Sequence, residues 1–186
     1  MRALKGIRKG DAAKLDLNLM IAFSWLMTLA NRFQIDLTNV VWQRFPSRCS
    51  YCRTQPCSCR ERKVKRRLPS PPPRGRPPAT LAGFQQMFAN IYPPVNRTLP
   101  DAGIHLAEEI GEVSEAIHVF QGEHTPRRFA AVRLELADYV SCFMGVANSA
   151  EINVATSLAK LFWKNCHVCH HLPCTCDFTF VADFQS

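Results

Sequence analysis

Eight of the nine cysteines fall into two identical patterns. CSYCRTQPCSC at 49–59 and CHVCHHLPCTC at 166–176 both read C-x2-C-x4-C-x-C, with proline before the third cysteine. No other feature constrains the fold as much. Four thiols within eleven residues suit a tetrahedral Zn²⁺ site that staples a chain segment without a large core. The C-x2-C pair makes one half of such a site, the x4 gap lets the chain turn back, and Pro56 or Pro173 stiffens that turn. Zinc binding would deprotonate the thiols, which are mostly protonated at neutral pH when free. Cys49, Cys52, Cys57 and Cys59, and likewise Cys166, Cys169, Cys174 and Cys176, are therefore expected to hold structural zinc. The spacing leaves open an iron–sulfur cluster or plain reduced thiols. His167, His170 and His171 could substitute as ligands in the second loop, but the first has Ser50, Arg53 and Thr54 there, so histidine is not part of the shared pattern. Thiols and metal ligands rather than disulfides fit a reducing compartment, and the expected location is cytoplasmic.

The patterns lie 117 residues apart, and the match runs backwards without a gap: over 19–59 against 136–176, twelve of 41 positions are identical. Ala30 and Asn31 align with Ala147 and Asn148, Ile35 with Ile152, and Phe45 with Phe162. The sequence thus predicts a repeated unit of helix, break, helix and Cys loop.

The rest reads as helix. Residues 15–31 and 35–45 carry apolar helical patterns, as do 81–92, where Leu81, Phe84, Met87, Phe88 and Ile91 repeat at helical spacing before Pro93 and Pro94 end the run. Asp101 is a candidate cap for a helix over 102–121, Thr125 and Pro126 open one reaching about 148, and a last one spans 153–164. Cys142 falls mid-helix as a small apolar residue. An all-α class follows, with a half-repeat at 1–59, a four-helix domain at 81–176 and a short aromatic tail at 177–186. No GxxxxGK[ST] or GxGxxG loop occurs, and the best apolar run, 19–30, is too short to span a membrane. Arg2, Lys5, Arg8 and Lys9 before an apolar run look like a secretory leader, but Asp11, Asp16 and Asn18 interrupt it.

The net charge of +8 suggests nucleic acid until it is mapped. Residues 60–76 hold eight Lys or Arg and one Glu, net +7, so the remainder is nearly neutral. Six prolines follow in 69–78. Residues 60–80 therefore read as an extended basic linker between modules, with weak nucleic-acid binding or a localisation signal as further roles.

Two acidic motifs sit among apolar neighbours. Glu108-Glu109-x-x-Glu112 lies on one helix and Glu135-x-x-Asp138 on the next. Residues three apart share a helix face, so Glu109 with Glu112, and Glu135 with Asp138, form pairs that can point inward beside Leu106, Val113, Leu136 and Val140. Buried carboxylates without a cationic partner require something positive among them. Mg²⁺, with its hard oxygen ligands, is the natural candidate. The alternatives are two solvated acidic faces, or a di-iron site that would want Glu-x-x-His pairs, of which only Glu115 and His118 make one.

The stretch HLAEEIGEVSEAI (105–117) followed by ELADYV (135–140) resembles the MazG-like all-α NTP pyrophosphatases, whose signature is E-E-x-x-E, a spacer and E-x-x-D; here 22 residues separate Glu112 from Glu135. The resemblance covers about 81–165 and includes FQQMFANIY at 84–92. It implies a four-helix bundle that hydrolyses nucleoside triphosphates to the monophosphate and pyrophosphate. Glu109, Glu112, Glu135 and Asp138 would ligate Mg²⁺, and Glu108 or Glu115 would orient the attacking water. Lys160 and Lys164 would meet the leaving pyrophosphate, while Asn148 and His105 would reach the substrate. It also implies a homodimer or higher oligomer.

The first repeat lacks these acids: Asn18 aligns with Glu135 and Ile21 with Asp138. Residues 1–59 therefore read as a degenerate half-module packed on the catalytic bundle. The rival functions are a non-enzymatic zinc adaptor that contacts nucleic acid through the basic linker, and a pseudoenzyme that kept the fold.

Overall fold

The computed structural model describes residues 9–69 and 72–177; the N-terminal basic residues Arg2, Lys5 and Arg8 and the aromatic tail with Phe178, Phe180 and Phe184 lie outside them. The described residues are helical and irregular, with no strand among them: α1 (Lys9–Arg32), α2 (Leu37–Arg44), α3 (Cys59–Arg62), α4 (Leu81–Ile91), α5 (Leu99–Gly122), α6 (Pro126–Ser149) and α7 (Val154–Leu161), with a 3₁₀ turn at Pro94–Asn96. No helix is long and apolar enough to cross a membrane among them.

Local sequence sets most boundaries. Thr80, Thr98, Thr125, Asp36 and Asn153 each accept a hydrogen bond from the backbone N–H three residues on, satisfying a donor the helix itself leaves free. Thr98 replaces Asp101 as the cap of α5, because Pro100 sits in the first turn and Asp101 works from inside the helix, accepting from the Thr98 hydroxyl. The last helix stops at Leu161 rather than 164, leaving Trp163 71% exposed.

Two pairs of helices fall on positions 117 apart. Lys9–Arg32 matches Pro126–Ser149, and Leu37–Arg44 matches Val154–Leu161. Caps Asp36 and Asn153 correspond, as do the left-handed residues Gln34 and Glu151, and Arg53 and His170. The prolines before the third cysteine, Pro56 and Pro173, both follow cis peptide bonds. Packing follows the same exchange: α1 lies against α7, and α2 against α6.

One core joins both parts. The rings of Phe23 in α1 and Phe143 in α6 stack with centroids 4.6 Å apart, and Phe45 meets Phe88 of α4 edge-on at 5.3 Å. Met20, Leu26, Val41, Ile91, Val132 and Leu136 fill the space between them, each contributing roughly 1.5–3 kcal/mol by leaving water. The most extensive helix pair is α5 on α6, joined through the short turn at 123–125. The two acidic motifs lie on that pair.

The basic segment departs from a free spacer in its first half. Val64 N–H donates to the Cys59 carbonyl, Leu68 N–H to the Tyr51 carbonyl, and the Arg53 guanidinium to the Leu68 carbonyl. Residues 59–68 therefore fold back over the first Cys loop. Like-charge repulsion alone would extend them; these bonds and Arg67, described below, overcome it.

Candidate functional site

Glu109 projects from the middle of α5, and Glu135 and Asp138 from one face of α6. A carboxylate oxygen from each lies within 4.8 Å of the other two. Asp138 is buried, while Glu109 and Glu135 are half-buried. Glu112, expected as a fourth ligand, is exposed. The reason is the width of the α5 stripe facing α6: Ala102, Leu106 and Val113 are its buried positions, and Glu112 falls on its edge. Its charge still reaches the other acids.

The crowding shows in proton affinity. Burial first, then the charges of Asp138, Glu112 and Glu135, push Glu109 up to about 7. Burial and the neighbouring Asp138 and Glu112 also push Glu135 up. Among the described residues Glu109 Oε2 is buried without a hydrogen-bond partner, and its Oε1 accepts a long 3.9 Å contact from the Cys142 thiol. Cys142 is thus a neighbour of the acids, its thiol pushed up to about 12 by burial and by Glu109.

No cationic partner for these acids is evident along the chain, and the structure supplies two. Arg44, the last residue of α2, forks onto Asp138: Nε donates to Oδ1 at 3.1 Å and a terminal nitrogen to Oδ2 at 2.5 Å. Arg67, from the basic segment, donates to the same Oδ2 at 2.7 Å and to the Ser50 hydroxyl at 2.6 Å, with its guanidinium 4.2 Å from the centre of the Tyr51 ring. Arg53 stands close enough that burial, then the charges of Arg44 and Arg67, lower its proton affinity. These partners lie 94 and 71 residues from Asp138. Only the fold joins them, and no local motif announces them.

A fourth arginine lies against α6. Arg97 lies over the Tyr92 ring, and a Cβ on Gly145 would come within 2.8 Å of its guanidinium, so the missing side chain at this α6 position leaves room for it. Among the described residues Arg97 is in no ion pair. It borders a cavity of about 770 Å³ with the first Cys loop, Tyr92 and His105. His105 is exposed, its Nδ1 2.9 Å from Glu108 Oε2.

The other expected substrate groups lie elsewhere. Asn148 is committed to bridging α6 and α4: its Oδ1 accepts from Gln85 Nε2 at 3.0 Å and its Nδ2 donates to the Gln85 carbonyl at 3.3 Å. α6 ends at Ser149, with Ala150 rather than Asn148 as its C-cap. Lys160 sits on exposed α7 beside Trp163, and the Lys164 ammonium lies 4.5 Å from the centre of the Trp163 ring. α7 packs on α1 and α4, not on α5.

Both cysteine quartets converge, each with its four sulfurs within 4.8 Å of one another. They could bind zinc. In the first loop the Cys49 and Cys59 sulfurs lie 3.6 Å apart, and Cys52 and Cys57 3.9 Å apart; in the second, Cys166 and Cys176 lie 3.9 Å apart, and Cys169 and Cys174 3.8 Å apart. Backbone N–H groups of Tyr51 and Ser58 donate to sulfur in the first loop, and that of Cys176 in the second. Burial raises Cys52, but the Thr54 hydroxyl and the Thr54 and Ser58 backbone outweigh it and bring the thiol to about 5. Donors aimed at sulfur stabilise thiolate, the form a metal takes. The quartets differ in setting. Cys49 and Cys52 are buried, and Cys57 N–H donates to the carbonyl of Ile91 at the end of α4; the second loop is half-buried to exposed.

No family model, no curated protein and no solved structure matches this chain.

Proposed function

We propose that the chain is a Mg²⁺-dependent nucleoside triphosphate pyrophosphohydrolase. The observation that carries this reading is the convergence of Glu109, Glu135 and Asp138, with a buried Glu109 oxygen that has no partner. A donor set of hard carboxylate oxygens, crowded enough to raise the proton affinity of two of them, fits a hard divalent cation. The resemblance of the acidic motifs to the MazG-like signature supports the same reading.

Glu109 and Glu135 would be the principal ligands. Asp138 Oδ1 accepts only from Arg44, so it retains a lone pair for a cation while the two arginines fix the carboxylate's orientation. Bound there, Mg²⁺ would neutralise phosphate oxygens and lower the pKa of an attacking water. Glu108, one residue from Glu109 and in contact with His105, would orient that water and take its proton. Attack at the α-phosphorus breaks its bond to the bridging oxygen and releases pyrophosphate, whose charge needs a cation. Arg97, free of carboxylates, suits this better than Lys160 or Lys164. The two Cys loops act as zinc staples, the first holding Arg53 and the Arg67 strap beside the acids. We read the 117-residue correspondence as a duplication, in which α1 and α2 stand where a second subunit's helices would.

The test is hydrolysis of a triphosphate panel in H₂¹⁸O with Mg²⁺. The expected result is pyrophosphate plus monophosphate, with ¹⁸O in the monophosphate, and at least a 100-fold loss in Glu109→Gln. Release of orthophosphate, or equal rates for the variant, would refute the assignment. The adaptor reading has one observation of its own, the exposed Arg60, Arg62, Lys63, Lys65 and Arg66. It requires steeply salt-dependent nucleic-acid binding.

A further inference from the structure

A second concave site lies where α2 and the first Cys loop meet the N-terminal half of α6. It has a volume of about 360 Å³, and Arg44, Arg53 and Arg133 line it with Gln43, Val40 and Leu134. No acidic residue lines it. Among the described residues neither Arg53 nor Arg133 is in an ion pair; Arg53 spends its donors on the carbonyls of Leu68 and Arg44, at 3.1 and 3.4 Å. Only Arg44 has a carboxylate, Asp138. All three arginines are half-buried, so water screens them less than free surface charges. Three guanidinium groups around one cavity repel one another, and the arrangement costs stability unless an anion joins them.

The positions 117 residues away show that the helix arrangement does not demand these charges. Arg133 corresponds to Asp16, Arg44 to Leu161, Arg53 to His170 and Val40 to Ser157. There Ser157 donates to Asp16 at 3.0 Å, joining α1 to α7 directly. At the equivalent positions Val40 and Arg133 make no such bond, and the arginine-lined cavity lies there; α2 and α6 are joined instead by Arg44 and Asp138.

We infer that this cavity binds a phosphorylated small molecule, its phosphate groups held between Arg44, Arg53 and Arg133. A guanidinium fork matches two phosphate oxygens at once. Arg133 can offer it whole, while Arg44 and Arg53, with their other donors on Asp138 and on carbonyls, each add one terminal nitrogen. The volume is at the small end of ligand pockets, sized for a diphosphate or a compact phosphate ester rather than a macromolecule. Val40 and Leu134 give the unphosphorylated part an apolar wall. The inference goes beyond the hydrolase reading and stands without it, because anion binding here needs neither Mg²⁺ nor turnover.

The probe is inorganic pyrophosphate, titrated calorimetrically into the full zinc-loaded chain without added divalent cation. Saturable binding is expected, weakened at least tenfold in Arg133→Gln and in Arg53→Gln, and within twofold of the parent in Arg32→Gln, a surface arginine at the far end of α1. Arg133→Lys keeps the charge but loses the fork, and should fall between parent and Arg133→Gln; it carries the test if the neutral variant does not fold. Absence of binding, or equal affinity for parent and Arg133→Gln, overturns the inference. So does retention of a short duplex DNA, but not of pyrophosphate, through the same arginines. Pyrophosphate binding without hydrolysis of any triphosphate would sink the hydrolase reading alone.

Discussion

Asp138 and Glu109 face the same crowding with different outcomes. Asp138 is buried and paired with both Arg44 and Arg67; without them, an ionised carboxylate there would cost several kcal/mol. Glu109 has no such partner, and burial and its acidic neighbours raise it to about 7. Raised above its ordinary value of 4.5, it contributes stability fully present below that value and lost as pH climbs through 7. Glu109→Gln lacks this loss. In divalent-free buffer its Tm advantage over the parent should grow between pH 5 and pH 8. After allowance for a half-exposed site the growth is on the order of 1 kcal/mol, a few degrees. A gap independent of pH would mean the acids do not press on one another. The inward acids were legible from spacing, because three residues on a helix fix a common face. Glu112 misled because the same rule does not say where the partner helix ends its cover. Arg44, Arg53 and Arg67 were invisible because their partnership with Asp138 and with one another comes from chain segments the fold alone brings together.

Among the elements, the helices were read well where capping and apolar spacing agree. α4 is the clearest case, with Phe84, Met87, Phe88 and Ile91 all buried. The loops were read by composition and only half correctly: the basic segment does not stand off as a spacer, because Arg67 reaches Ser50 and Asp138. The two Cys loops share spacing and backbone but not surroundings, and this has a measurable consequence. The first is seated against α4 and carries Arg53, so Cys52→Ser should cost far more stability than Cys169→Ser, about 2–5 kcal/mol against under about 1. Thermal unfolding of the two zinc-loaded variants compares them directly, and equal losses would show that the first loop is no more tied to the core than the second.

For the whole molecule, the 117-residue correspondence makes α1 and α2 the counterparts of α6 and α7, packed crosswise around one core. The counterpart of the acidic face is empty of chemistry, since Asn18 and Ile21 stand where Glu135 and Asp138 do. The carboxylates therefore sit on α5 and α6, and the arginines that hold Asp138 come from α2 and the basic segment. Everything proposed for this site rests on Glu109, Glu135 and Asp138 sharing a divalent cation. Mn²⁺, which substitutes for Mg²⁺ and is seen by electron paramagnetic resonance, tests that most directly. Titrated into the zinc-loaded chain, it should fill a site that Glu109→Gln and Glu135→Gln each weaken at least tenfold while Glu112→Gln changes it little. Mn²⁺ affinity that is absent, or indifferent to Glu109 and Glu135, would contradict the account.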